Sequence, residues 1–250
     1  MVRWLILLAD VPDHLAIKIN KSFLLFSFVT NYLEPVALLI YFIATYIYFK
    51  RKKTAAAKTL ITYYLTVTLL QLYASYVVKF IQLSNIWVYD LVAFLTAAFI
   101  GYYFYQLLLS SAKKKTVLLL MGVYLAYAVY RQASLEGQRL FDSMGYAILS
   151  ASIAIYVFMY FHQVLKNVTE ISILKEFNFW LSSSYLLYYI GNFFVFVSYY
   201  YLTTKVINTL TKPQMDLLTA LWGLHNVLLF LGALSLLTGS LWITYRKKSA

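Results

Sequence analysis

A chain of 250 residues that is 62% apolar and 19% aromatic, with a mean hydropathy of +0.72, is too apolar for an ordinary water-soluble globule and reads as one membrane domain. Its net charge of +12 raises the prospect of a nucleic-acid partner, but the positions of the basic residues argue against one, as shown below. The absence of cysteine excludes disulfides, thiolate metal centres and cysteine nucleophiles.

In chain order, residues 1–22 come first. Trp4, Leu8, Val11, Leu15 and Ile19 recur near helical spacing around Pro12, which predicts an interfacial arm on the outer face. The apolar run inside it is too short for the hydrophobic region of a signal peptide, and no small-residue cleavage site follows. Seven apolar stretches occupy 23–49, 60–83, 86–109, 116–130, 144–161, 177–202 and 217–242. Most approach the roughly 20 residues that cross an apolar layer about 30 Å thick. The fourth is short, so Arg131 at its end is expected to snorkel to the surface. Alternating ten-residue strands are absent, which excludes a β-barrel. The expectation is therefore an all-α, polytopic bundle of seven transmembrane helices over residues 23–244, followed by a basic tail at 245–250.

Orientation follows from the links. Lys50, Arg51, Lys52, Lys53 and Lys58 follow the first stretch, Lys113, Lys114 and Lys115 the third, Lys166 and Lys175 the fifth, and Arg246, Lys247 and Lys248 the seventh. In the alternate links, Ser84 and Asn85 carry no charge, Arg131 and Arg139 are offset by Glu136 and Asp142, and only Lys205 and Lys212 stand near the last. The positive-inside rule then predicts an outer N-terminus and a cytoplasmic C-terminus in a bacterial inner membrane. Thirteen of the 21 basic residues are spent on these inner links and the tail, where orientation and anionic headgroups account for them without nucleic acid.

Polar residues inside the stretches are scarce, and each costs roughly 2.5–3.5 kcal/mol to insert if ionised, so each needs a partner, a wet cavity or a role. Glu34 precedes Pro35, which cannot donate a backbone hydrogen bond and so frees a carbonyl near position 31, marking helix one as kinked. Counted from the predicted outer ends, Asn31 and Glu34, Asn192, and His225 and Asn226 all lie about eight to eleven residues deep, with Gln71 nearer mid-membrane. The pattern predicts an outward-facing polar cavity lined by Asn31, Glu34, Gln71, Tyr188, Asn192, His225 and Asn226, with Tyr73, Tyr185 and Tyr189 as further candidates. Adjacency of helices one, seven, six and two would pair Glu34 with His225 or Lys79. His162 belongs to the inner end, and no clustered His and carboxylates, Gly-rich phosphate loop, HExxH or Ser-His-Asp set is present, so no metal, cofactor or catalytic residue is predicted.

Several segments resemble an uncharacterised group of seven-helix membrane proteins of Bacteroidetes. They are Leu33-Glu34-Pro35 with the basic run from Lys50 to Lys53, Asn85-Ile86-Trp87-Val88-Tyr89-Asp90, Phe177-Asn178-Phe179-Trp180, Tyr188-Tyr189-Ile190-Gly191-Asn192-Phe193-Phe194 and Trp222-Gly223-Leu224-His225-Asn226. The resemblance implies a sensing or signalling module with no assigned ligand and no catalytic residues. The leading expectation is a non-enzymatic receptor-like module that binds a small ligand and signals to a separate cytoplasmic partner. The alternatives are an accessory subunit of a larger membrane complex and, last, a lipid-acting enzyme or transporter, which should bring a second deep carboxylate.

Overall fold

The structure is a computed structural model of the chain. It describes residues 28–30, 32–50, 54–81, 84–134, 141–166, 173–206 and 211–246, and within these the side chains of Lys79, Lys205, Val206 and Arg246 are not described. The expected outer arm, Asn31, Glu136, Arg139 and the tail after Arg246 lie outside the described residues.

Seven α-helices follow one another among the described residues: α1 (Leu33–Phe49), α2 (Ala55–Tyr76), α3 (Ile86–Leu107), α4 (Ser111–Ser134), α5 (Ser143–Lys166), α6 (Phe177–Val206) and α7 (Lys212–Arg246). No strand occurs among these residues. The last five are long and apolar enough to cross a membrane; α1 is apolar but has 17 residues, and α2 dilutes its apolar content with Thr59, Thr62, Thr66 and Thr68. The protein is thus a helical, multi-pass membrane protein. Residues 28–30 are helical, but the chain turns at Tyr32 and α1 starts afresh at Leu33, which places Pro35 in the first turn, where its missing N–H is harmless. Thr54 opens α2 by accepting a hydrogen bond from the Ala57 N–H at 3.2 Å.

Six helices form a closed ring in the order α1, α2, α3, α5, α6, α7, with α7 returning onto α1, and α4 stands outside it against α3 and α5. The inward face of α1 shows how the ring closes: Leu33, Ala37, Leu38, Tyr41, Ala44, Thr45 and Phe49 are buried at helical spacing. By contrast α4 buries only Val117 and Tyr124, leaving an apolar surface that faces away from the ring. Small residues set the closest approaches. A Cβ at Gly232 of α7 would lie 3.2 Å from the Ser184 carbonyl of α6, and one at Gly239 would collide with the Trp180 ring.

The ring is lined with tyrosine, and several buried hydroxyls bond across helices. Tyr64 and Tyr185 share a hydrogen bond at 2.6 Å, Tyr63 and Thr96 one at 2.9 Å, Tyr103 donates to Asn178 Oδ1 at 2.6 Å, and Tyr41 pairs with Ser184. Side chains of α6 therefore reach α1 and α2 across the interior. The ring itself seats α6 between α5 and α7, which corrects the expected neighbourhood of helices six and two.

The fourth helix corrects a second expectation. It runs 24 residues instead of ending short, because Lys113, Lys114 and Lys115 belong to its first turns, where long basic stems can reach outward from a helix end. Arg131 does not snorkel freely. Its guanidinium lies 3.2 Å from Asp90 on α3 and 3.4 Å from Asp142 just before α5, with its side chain only 16% exposed. Asp142 also accepts from Tyr127 O–H and from the Gly145 N–H, both at 2.9 Å, so one carboxylate caps α5 and fastens α4 to it. At the opposite end of α4, Gln163 of α5 accepts from the Leu109 N–H at 2.8 Å and donates to the Leu107 carbonyl at 3.3 Å. The short α3–α4 connection is thereby fixed by a side chain that bonds the backbone twice.

Candidate ligand cavity

A cavity of about 50 Å³ lies inside the ring, reaching from the half away from the basic links, at Glu34, Tyr89 and Trp222, inward to Tyr64 and Tyr185, and all six ring helices contribute to its wall. Its polar lining includes Glu34 of α1, Gln71 of α2 and His225 of α7, set among Tyr63, Tyr89, Tyr146, Tyr185 and Tyr188. At roughly 10–15 Å³ per water-sized group, the space admits a handful of such groups.

Glu34 is the acid of this cavity. Gln71, itself buried, donates through Nε2 to Glu34 Oε1 at 2.8 Å, and Tyr89 donates its hydroxyl to Oε2 at 3.4 Å. The Tyr146 hydroxyl, donating to the Tyr89 carbonyl at 2.8 Å, ties the first turn of α5 to that of α3. Salt bridges among the described residues involve Arg131 alone, so no described cation reaches Glu34. The expected partners of Glu34 are corrected accordingly: amide and phenol take the place of His225, and the Lys79 side chain is outside the described residues.

His225 turns to α6, where its Nδ1 lies 2.9 Å from Asn192 Oδ1. Trp222, Phe196 and Tyr188 surround the imidazole with centroids 5.2, 5.2 and 5.6 Å away. Asn192 and Asn226 are both fully buried, and neither lines the cavity. Asn226 Nδ2 instead donates to the Val29 carbonyl at 2.9 Å and to the Thr30 carbonyl at 3.3 Å, so α7 supplies a donor where the chain breaks ahead of α1. An Asn226→Leu variant should lose about 1–3 kcal/mol of stability by stripping these carbonyls of their donor. A melting temperature in detergent equal to that of the parent would show that the pin is dispensable.

Of the residues expected from sequence, Glu34, Gln71, Tyr185, Tyr188, Tyr189 and His225 meet at the cavity. Tyr73 does not: it is 46% exposed and packs edge-on against Trp87 at 6.0 Å. Sequence reasoning missed Tyr89, Phe141, Tyr146 and Trp222, which form much of the wall. Tyr89 and Trp222 stood in segments already singled out, but among so many aromatic residues nothing in the pattern marked these rings as facing the axis. The chain matches no protein-family model, and no curated protein or solved structure is detectably similar to it.

Proposed function

We propose that the protein is a seven-crossing sensory module of the inner membrane, with its N-terminus outside and C-terminus in the cytoplasm, which binds a small ligand in the cavity inside the ring and signals to a cytoplasmic partner. The observation that carries this reading is the shared void itself: Glu34, Gln71 and His225 come from three helices to one small cavity that reaches into the half away from the basic links. The alternation of basic links supports the orientation. The resemblance to seven-helix modules of Bacteroidetes points the same way. Signalling would arise as a shift between two ring arrangements that a ligand contacts differently, and the break before α1, held by Asn226, is the element best placed to move.

Two measurements test it. Single cysteines in this cysteine-free chain, at Lys50 and at Ser84, should react differently with a membrane-impermeant maleimide added to intact cells: Ser84 labels, and Lys50 labels only after lysis. The reverse pattern would overturn the orientation. A screen of small polar compounds by thermal shift should find stabilising ligands for the parent protein whose effect is lost in Glu34→Gln. A variant that inserts normally and responds as the parent does would reduce Glu34 to a packing role.

A second reading, an accessory subunit of a larger membrane complex, draws on α4, where Leu118, Leu119, Val123 and Val129 are at least half exposed along one helix. Recovery of a stoichiometric membrane partner in mild detergent, released by polar substitutions on that face, would favour it.

A further inference from the structure

We propose that the cavity takes a small organic ammonium ion, with Glu34 as counter-ion and the clustered rings of Tyr89, Phe141 and Trp222 as the aromatic surface for its methyl groups. The proposal rests on the reading of this cavity as a ligand site and names the ligand's chemical class.

Charge comes first. A carboxylate removed from water without a cation is expensive, and the two donors on Glu34, an amide and a phenol, stabilise it without neutralising it. An anionic ligand would meet this carboxylate with no described basic side chain beside it to compensate. A neutral ligand would bring Glu34 no counter-charge beyond the amide and phenol it already has. A cation completes the site.

The wall then selects among cations. Hard metal ions want about six or more oxygen ligands, and the described residues contain no group of three His, Asp or Glu able to hold a metal. What the cavity offers in place of oxygen is aromatic surface, which suits weakly hydrated organic cations. Tyr89, Phe141 and Trp222 all line it, and their planes are mutually near perpendicular: 85° for Tyr89 with Phe141, 81° for Tyr89 with Trp222 and 83° for Phe141 with Trp222. Their centroids are 6.0, 5.6 and 5.4 Å apart. The three rings meet edge to face and pack as one aromatic cluster that lines the cavity, and a cation within roughly 6 Å of one of their faces makes a cation–π contact. Tyr89 joins the two halves of the site, since its phenol belongs to this cluster and also donates to the Glu34 carboxylate. The volume sets the size: about 50 Å³ accommodates a head of roughly four or five heavy atoms, as in a methylated ammonium.

The test uses the full chain purified in detergent, with tetramethylammonium chloride as probe, read by thermal shift and by calorimetry. Tetramethylammonium should raise the melting temperature, while sodium chloride at equal concentration and tert-butanol, a neutral molecule of similar size, should not. Glu34→Gln should weaken tetramethylammonium binding by about tenfold or more, and Trp222→Leu by several-fold. Should either variant fail to fold, the parent protein decides through size, because tetraethylammonium exceeds the cavity and should bind far more weakly. Equal binding of tetraethylammonium, or undiminished binding by Glu34→Gln, would place the ammonium elsewhere and overturn the proposal. Stabilisation by tert-butanol but not by tetramethylammonium would overturn the cation assignment while leaving the cavity a ligand site. If neither probe nor any screened neutral compound stabilises the protein, both readings fall.

Discussion

Replacing Arg131 with methionine is expected to destabilise the folded protein by about 2–3 kcal/mol and to loosen α4 from the ring. The guanidinium is shared by Asp90 on α3 and Asp142 ahead of α5, and their side chains are 25% and 11% exposed. Without it, two carboxylates remain close together with their bridging cation gone. Removing one partner of a sealed ion pair costs about 3–5 kcal/mol, and partial exposure places this site below that range. Asp142 adds a second consequence, because it also caps the first turn of α5 and accepts from Tyr127. Thermal unfolding in detergent checks the loss of stability. Proteolysis in the connection after Ser134 checks the loosening, since an undocked α4 should be cut faster. A triple change that also replaces Asp90 and Asp142 with asparagine should recover part of the loss, as it removes the repulsion between the two carboxylates. No destabilisation by Arg131→Met would mean that α4 is held without these ion pairs, by apolar packing and by bonds such as that of Tyr127 to Asp142.

A second large effect is expected from the tight α6–α7 seam. Gly232→Leu should cost about 1–3 kcal/mol or more, because the added side chain has no free volume to enter. Its Cβ alone would sit 3.2 Å from the Ser184 backbone carbonyl and also press on the Tyr41 hydroxyl, which bonds Ser184. A backbone carbonyl cannot turn aside as a side-chain tip can, so the helices must separate. Gly122→Leu is the matching control on α4: nothing lies within 4 Å of its added Cβ, and exchanging glycine for a better helix former should be neutral or slightly stabilising. Melting temperatures of the two variants, measured side by side, should diverge. Similar values would show that the seam has slack.

The positions of the helices were largely legible in the sequence because apolar run length is a local property, imposed by a solvent that cannot satisfy free backbone groups. Even the helix ends that strayed have a local explanation. Lys113, Lys114 and Lys115 looked like a link, whereas long basic side chains are tolerated in the first turns of α4. The Glu34-Pro35 pair pointed to a break in helix one, and the chain does turn just ahead of Leu33. Pairing was far less legible. Glu34 was matched to His225 or Lys79 from depth and an assumed order of helices, yet neither carries information about which way a side chain points around its helix. Gln71 and Tyr89 hold that contact, while His225, although α7 also neighbours α1, faces Asn192 across the α6–α7 seam.

From its sequence alone this chain is determined to be a helical, multi-pass membrane protein with few interior polar groups, because hydropathy and basic-residue placement act residue by residue along the chain. Only the tertiary structure decided that six helices close a ring while α4 stands outside, and that three mutually perpendicular aromatic rings share a cavity with one carboxylate. The physical reason is that lipid makes every apolar face equally acceptable. The choice of neighbours then falls to close packing at small residues and to hydrogen bonds between helices, and both depend on rotation about the helix axes, which composition leaves open.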